Sequence, residues 1–135
     1  MVTFVLVHGA WYGGWCWAEL QHELRGLGHE SHAPTLTGLG ERSHLLAPDI
    51  DTNLHVLDVV NTIRWRELDD IVLVGHSYGG MVVTGVAAQI PEKLRAVVYL
   101  DAFVPEVSDV LFVCEREPRT HGSIRRADSW GPDGA

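Results

Sequence analysis

The sequence predicts an α/β fold in which helices pack on both faces of a parallel β-sheet. Three observations support this prediction: strand-length apolar segments alternate with helix-length segments, the apolar segments are rich in β-branched residues, and Gly or Pro stands at several junctions. Parallel strands are covered on both faces, so their sequences are almost continuously apolar. The alternation requires crossover connections and hence a parallel sheet. We expect the strand order 2-1-3-4, with the third strand between the first and the fourth.

The first two strands and the helix between them lie within residues 3–33. Residues 3–8 are predicted to form a central strand, residues 15–27 a helix, and residues 29–33 a short second strand. Gly28 is predicted to end the helix, because glycine readily adopts the left-handed conformation of a C-cap. One face of this helix carries apolar residues at three- and four-residue spacing, namely Trp17, Leu20, Leu24 and Leu27.

The rest of the predicted sheet follows an irregular loop over residues 34–43. A helix over residues 52–67 comes next, with Asp49 or Asp51 as its N-cap. The third strand covers residues 71–75, and a further helix is ended by Pro91 before the last apolar strand, residues 94–100. The amphipathic face of the helix over residues 52–67 is predicted to contain Leu54, Leu57, Val60 and Ile63, with Val56, Val59 and Trp65 beside them.

The junction after the third strand carries the motif that points to chemistry. Gly75, Ser77 and Gly79 have G-x-S-x-G spacing, with an apolar strand before them and a helix-length segment after them. Serine at the apex of such a strained turn has an exposed hydroxyl, and the flanking glycines let two backbones pass closely. The alternative is a chance match in a glycine-bearing loop. The strand and helix around the motif favour a nucleophile elbow with Ser77 as the nucleophile.

The loop after the first strand is the second candidate part of the site. Glycines beyond a central strand leave backbone amides pointing into space, and in a fold with a nucleophile elbow this loop supplies an oxyanion donor. We expect the amide of Ala10 to pair with the amide of Tyr78, although a simple turn at this position is the alternative. His8, Trp11 and His76 are predicted to line the pocket. His76 is not expected to be the general base, because it is adjacent to Ser77 in sequence and its side chain would point away from that of Ser77.

Composition limits the classes of function. The chain has 135 residues, 46% of them hydrophobic, which fits one domain or part of one. Its formal net charge of −8 argues against a nucleic acid or an anionic membrane as partner. Cys16 and Cys114 give no metal or disulfide pattern. Because no segment is long enough for a membrane helix and residues 1–4 lack a basic signal-peptide region, we expect a cytoplasmic protein.

Four stretches together resemble a known family. Residues 8–11, 34–42, 75–80 and 99–105 are similar to the α/β-hydrolase superfamily, in particular to the branch of EstC-like bacterial esterases, salicylate-binding plant methylesterases and hydroxynitrile lyases. The similarity extends over about residues 3–106. It implies a serine nucleophile, a histidine base and an aspartate, without a metal or an organic cofactor. By this resemblance Ser77 is the nucleophile, and Ala10 and Tyr78 are the oxyanion donors.

The end of the chain departs from the family pattern. The acid and the histidine of this superfamily follow the nucleophile, in that order. We therefore expect residues 1–106 to be the N-terminal half of the core, and residues 107–135 to be the start of a cap, a frameshifted end or an irregular tail. His121, the only histidine after Ser77, is not expected to be the base, and Asp101 is expected to be structural. Glu41 and Arg42 are interpreted as an ion pair or a loop anchor.

Two classes of function follow from this reading. The first is hydrolysis of small carboxylic esters, in which Ser77 attacks the carbonyl carbon and the two amides hold the oxyanion. A hydroxynitrile lyase would be a variant in which the serine relays a proton. The second class is a non-catalytic protein, either a truncated product or a small-molecule binder. An open edge on the last strand further predicts a homo-oligomer.

Overall fold

The computed structural model describes residues 1–105, which form one four-stranded sheet with helices on both of its faces. The strands are β1 (Thr3–Val7), β2 (Glu30–His32), β3 (Ile71–Ser77) and β4 (Leu94–Ala102), and the α-helices are α1 (Ala18–Gly26), α2 (Thr52–Trp65) and α3 (Gly79–Gln89). Short 3-10 helices cover Gly14–Trp17, Gly40–Leu45 and Pro91–Lys93. His121, Cys114 and the predicted tail lie outside the described residues.

The strand order is β2-β1-β3-β4 and every pairing is parallel, which confirms both the predicted order and the predicted direction of the strands. The register of the central pair starts at Thr3 opposite Ile71 and ends at Val7 opposite Gly75. Because parallel strands end at the same edge of a sheet, the loop after β1 and the turn after β3 emerge side by side. This pairing positions the candidate site.

The hydrophobic core is divided between the two faces of the sheet. Alternate side chains of a strand point to opposite faces, so Val5 and Val7 join α2 and α3 in the larger cluster. Leu6 points the other way and packs with Trp17 and Val74, against which Leu24 of α1 is also packed. The predicted cover on both faces is therefore confirmed, and the larger part of the core lies under α2 and α3.

The helix predicted over residues 15–27 is shorter than expected. A 3-10 turn occupies Gly14–Trp17, so α1 begins only at Ala18 and has no fully buried residue. Leu27 is largely exposed, because it follows the last residue of α1. Gly28 does end the helix, at a φ of +86°, with His29 donating to the Leu24 carbonyl in a Schellman motif.

Helix α2 differs from the prediction in which residues it buries. Asp51, and not Asp49, caps it, since the Asp51 carboxylate accepts a hydrogen bond of 2.9 Å from the Leu54 amide. Leu57 and Trp65 are exposed. The predicted residues Val56, Val59, Val60 and Ile63 are buried, and Thr52 and His55, which were not predicted, complete the buried row.

Strand β4 extends two residues further than predicted, to Ala102, and forms an edge of the described sheet. Its side chains Val98 and Leu100 stay 41% and 47% exposed. Within residues 1–105, no helix has both the length and the apolar content that a membrane crossing needs.

Candidate active site

The turn between β3 and α3 holds Ser77 in a strained backbone conformation. β3 ends at Ser77, α3 begins at Gly79, and Tyr78 alone lies between them. Ser77 has a φ of 54°, in the left-handed region that costs an L-residue roughly 1–2 kcal/mol. Strain of this kind concentrates at functional sites, where the surrounding structure maintains it. The backbone thus has the geometry of a nucleophile elbow.

The glycines of the motif are required by close backbone contacts. A Cβ atom on Gly79 would lie 2.6 Å from the carbonyl oxygen of Val7, and one on Gly75 would lie 2.6 Å from the carbonyl oxygen of Gly79. Both distances are too short for nonbonded atoms, and the obstructing atoms are backbone atoms that have little freedom to move. The spacing in the sequence therefore reflects the packing of α3 against β1 and β3.

The loop after β1 lies directly against Ser77. A Cβ atom on Gly9 would be 2.9 Å from the Cβ atom of Ser77. The next residue, Ala10, donates its amide to no acceptor within residues 1–105. Trp11, which follows at a φ of 70°, is 90% exposed. The loop therefore places an amide without a partner in the described chain one residue from the contact with Ser77.

His8 is a buried part of this loop and does not line a pocket, which corrects the prediction. Its side chain has no exposed surface. The ring Nε2 accepts a hydrogen bond of 3.0 Å from the Leu36 amide, so the proton sits on Nδ1, which donates to the Gly9 carbonyl at 2.8 Å. Burial lowers the pKa of His8 below its ordinary value of 6.5, which keeps the ring neutral.

Glu41 and Arg42 hold Thr35, which in turn binds Gly14 at the end of the loop after β1. Thr35 donates to the Glu41 carboxylate at 2.7 Å and accepts a hydrogen bond of 2.8 Å from the Gly14 amide. The Arg42 guanidinium donates to the Thr35 carbonyl at 2.9 Å. The hydrogen bond from Thr35 lowers the pKa of Glu41 below its ordinary value. These contacts confirm the interpretation of the two residues as loop anchors.

Tyr78 is held by a histidine that the sequence analysis missed. His55 of α2 is buried, and its Nδ1 lies 2.8 Å from the Tyr78 phenol oxygen. The same phenol oxygen is 3.2 Å from the hydroxyl of Thr52. The signal for His55 was its four-residue spacing from Val59 and Ile63, which marks an inward-facing position on a helix.

A cavity of about 300 Å³ lies next to the elbow on the α1 side of the sheet. It is lined by Tyr12, Cys16, Trp17, His76 and Leu100. The His76 ring stands edge-on to Trp17, with 6.4 Å between ring centroids, and lies 6.3 Å from the ring of Tyr12. Partial desolvation raises the pKa of the exposed Cys16 thiol, which disfavours its reactive thiolate form. His76 therefore faces a largely aromatic cavity rather than Ser77.

Comparison with known proteins decides the family. The chain matches the model of the alpha/beta hydrolase family over residues 4–134. It belongs to the alpha/beta hydrolase family. Relatives also occur in the branch of plant methylesterases and hydroxynitrile lyases, in agreement with the resemblance found in the sequence.

Three similar proteins place the chain more closely within this family. It is 55% identical over 111 residues to a carbendazim hydrolyzing esterase of Nocardioides sp. (strain SG-4G), covering 82% of this chain and 46% of that protein. Salicylic acid-binding protein 2 of Nicotiana tabacum is 36% identical over 117 residues, covering 84% and 44%. The solved structure of an extracellular alpha/beta-hydrolase from a Paenibacillus species gives a TM-score of 0.73 at 36% identity, covering 78% and 43%. The chain spans less than half the length of each.

The described part of the chain contains the strained turn at Ser77 but brings no basic group to the Ser77 hydroxyl. Within residues 1–105, no group forms a hydrogen bond with the Ser77 hydroxyl, and no cluster of three or more His, Cys, Asp or Glu side chains could hold a metal. Asp101 has a φ of 45° and is skipped by the register, since His76 pairs with Leu100 and Ser77 with Ala102. It is the extra residue of a β-bulge, which bends the strand end.

Proposed function

We propose that this hydrolase cleaves small carboxylic esters, with Ser77 as the nucleophile and the amides of Ala10 and Tyr78 as the oxyanion donors. The observation that carries the proposal is the left-handed backbone of Ser77 at the end of β3, with Gly9 packed against its Cβ atom. An enzyme keeps such strain where it aims a reacting group. The membership of an esterase-containing family agrees with this reaction.

The proposed mechanism has two steps. The Ser77 hydroxyl adds to the ester carbonyl carbon, its proton passes to a base, and collapse of the tetrahedral intermediate expels the alcohol. Water then hydrolyses the acyl-enzyme and releases the acid. Negative charge develops on the carbonyl oxygen in both steps, where two amides and the N-terminal end of α3 stabilise it. No metal or organic cofactor is needed for this route.

The base and the acid are proposed to come from outside residues 1–105. In this family they follow the nucleophile along the chain, and the Ser77 hydroxyl has no hydrogen-bond partner within the described residues. For the substrate we propose an ester whose aryl or alkyl group rests on Trp11 or enters the cavity beside His76. Carbendazim is the first substrate to test, because the most similar of the three relatives is named for hydrolysing it.

Labelling with a fluorophosphonate probe tests the nucleophile. The probe should add one phosphonyl group to the purified chain, and peptide mass spectrometry should locate it on Ser77. The variant Ser77→Ala should remain unlabelled, whereas Ser43→Ala, a serine outside the site, should label like the parent chain. Labelling that persists in Ser77→Ala would overturn the assignment.

The second candidate is a non-catalytic binder that retains the floor of the pocket. Among residues 1–105 the Ser77 hydroxyl has no hydrogen-bond partner, and this favours the binder, because a serine without a base is only weakly nucleophilic. Loss of the histidine of a serine protease costs ~10⁶ in turnover, and an oxyanion hole with binding alone retains ~10³–10⁴ over water. We expect the chain of 135 residues to hydrolyse an aryl acetate barely above background.

A substitution separates the two candidates. His121→Ala should change neither the aryl acetate rate nor the rate of phosphonylation, if His121 is not the base. Robust turnover that this substitution abolishes would instead make His121 the base and would exclude the binder. The DNA downstream of codon 135 offers a direct check, since a cap followed by strands ending in Asp and His would supply candidates for the acid and the base.

A further inference from the structure

A buried histidine on α2 connects two parts of the site that lie far apart in sequence. The His55 Nε2 lies 2.8 Å from the Thr37 carbonyl oxygen, which can only accept, so Nε2 carries the proton. Its Nδ1 then accepts from the Tyr78 hydroxyl at 2.8 Å. We propose that His55 is a positioning residue that fixes the positions of the two oxyanion donors relative to each other. This inference rests on the proposed function of Ala10 and Tyr78.

His55 first acts on Tyr78. This residue lies between the strained Ser77 and the first turn of α3, so any relaxation of the elbow must turn its backbone. Its side chain is fixed by His55, whose ring stands edge-on at 5.7 Å between centroids, and by the Thr52 hydroxyl. A strained conformation persists only where neighbouring contacts over-determine it. The hydrogen bond from Tyr78 to His55 is one of those contacts.

The loop at Leu36 and Thr37 is contacted by two histidines, His8 and His55. His8 accepts from the Leu36 amide and donates to the Gly9 carbonyl, one residue before Ala10. His55 donates to the carbonyl of Thr37. Thr37 is itself fixed by Asp58, which accepts from its amide at 2.7 Å and from its hydroxyl at 2.8 Å. One anchored loop therefore contacts the Ala10 side through His8 and the Tyr78 side through His55.

The two contacts have a common consequence for the reaction. Oxyanion donors act only when both lie within about 3 Å of the position that the oxyanion will occupy. Ala10 follows β1 and Tyr78 follows β3, so their separation depends on how the two strand ends are held. Without His55, the buried Thr37 carbonyl loses its donor and the Tyr78 hydroxyl loses an acceptor. The loop at residues 36–37 then no longer contacts the Tyr78 side, and the two strand ends lose one of the links between them.

The test measures the rate of Ser77 phosphonylation in the full chain. His55→Phe keeps the ring size and removes both hydrogen bonds, and it should slow labelling about tenfold, since a 1 Å misplacement can cost ~10² in rate. His55→Gln should restore most of the rate, because its amide offers one donor and one acceptor. Tyr78→Phe should slow labelling by a similar factor, and the double variant His55→Phe/Tyr78→Phe should be no slower than either single variant.

A matched control removes a phenol elsewhere. Tyr99→Phe loses a comparable hydrogen bond of 2.8 Å to the Thr84 hydroxyl, and it should label at the parent rate. Loss of rate in Tyr99→Phe equal to that in Tyr78→Phe would reduce the effect to general destabilisation and overturn the proposal. Should His55→Phe fail to fold, the comparison of Tyr78→Phe with Tyr99→Phe still decides.

Hydrogen–deuterium exchange gives a readout that does not depend on reactivity. In His55→Phe, peptides covering residues 9–14 and 76–82 should exchange faster, while the α1 peptide should not change, and His55→Gln should resemble the parent chain. Unchanged exchange in both peptides, with labelling at the parent rate, would overturn the positioning role. A parent chain that does not label at Ser77 would instead refute the proposed function, and the exchange data would still decide the role of His55.

Discussion

At the scale of single residues, the site is defined by what cannot be substituted. Gly9, Gly75 and Gly79 lie where a methyl group would meet Ser77 or the backbone within 3 Å. The same packing that excludes side chains brings the β1 loop against Ser77. The strained turn at Ser77 and the close backbone contacts around it therefore depend on each other. Each of these glycines contributes both to the stability of the fold and to the geometry of the site.

Replacing Gly79 tests this packing. Gly79→Ala places a Cβ atom 2.6 Å from the Val7 carbonyl oxygen, and overpacking of this kind should cost about 1–3 kcal/mol in free energy of unfolding. The control is Gly26→Ala in α1, where nothing lies within 4 Å of the added carbon and a gain of about 0.4–1 kcal/mol is expected. Urea denaturation with unchanged m-values measures both changes. Equal effects at the two sites would contradict the interpretation.

The buried His8 predicts a dependence of stability on pH. Its folded pKa is lowered, chiefly by burial, so near its ordinary value of 6.5 the unfolded chain binds more protons at this residue than the folded chain does. Its stabilising contribution is therefore fully present above pH 6.5 and decreases as the pH falls below that value.

Unfolding free energies at pH 7.5 and 5.5 measure this effect. His8→Gln retains an acceptor and a donor but has no ring to titrate, so it should reduce the difference between the two pH values. His22→Gln, at an exposed position of α1, serves as the control. A parent-like difference in His8→Gln would show that the dependence arises elsewhere.

At the scale of elements, α2 contributes more to the site than its sequence suggested. It begins at the Asp51 cap, packs Val56, Val59 and Ile63 into the core, and carries His55 to the elbow. The position of its first turn sets the position of His55. The cap is thus linked to the site through one turn of helix.

The two candidate caps of α2 can be distinguished by substitution. Asp51→Ala should cost about 1 kcal/mol, because the Leu54 amide loses the carboxylate that accepts its hydrogen bond. Asp49→Ala should change the free energy of unfolding by less than about 0.5 kcal/mol, as expected for a surface position without such a contact. Thermal and urea unfolding both report the difference. A larger loss from Asp49→Ala would mean that the helix begins earlier.

The elements that were predicted well are those that more than one feature of the sequence indicates. β1 and β3 are continuously apolar, and the glycines around Ser77 reflect backbone contacts, so the strand order and the elbow geometry could be derived. The buried face of α2 could be derived only in part, because Leu57 and Trp65 are apolar yet exposed while a histidine is buried. The 3-10 turn before α1 was missed because its apolar residues also fit a helix. The role of His8 depends on Leu36, a contact distant in sequence.

At the scale of the whole molecule, the two faces of the sheet are unequally covered. The face under α2 and α3 holds the larger core cluster, whereas Val98 and Leu100 of the edge strand β4 remain substantially exposed on the other face. Exposed strand edges and apolar patches promote association. The described sheet therefore has a surface suited to contact with another element or chain.

We expect the isolated chain of 135 residues to be oligomeric or poorly soluble. Val98→Lys, which places a charge on the exposed part of β4, should shift the sedimentation profile toward the monomer. Leu27→Lys removes an apolar side chain that is 73% exposed but lies outside the sheet, and it should leave the profile unchanged. A sharp monomer peak for the parent chain, with cooperative unfolding, would contradict this prediction.

The pairing of β1 with β3 also determines when the site can first exist during folding. Thr3 lies opposite Ile71, so this pairing must close a long loop, and contacts of large sequence separation form slowly. The strand and helix around Ser77 are local in sequence, but Gly9 reaches the serine only when β1 docks. An early intermediate with a formed α3 would still lack the β1 loop that carries Ala10, one of the two proposed oxyanion donors. The reactivity of Ser77, followed during refolding, therefore reports the docking of the two central strands.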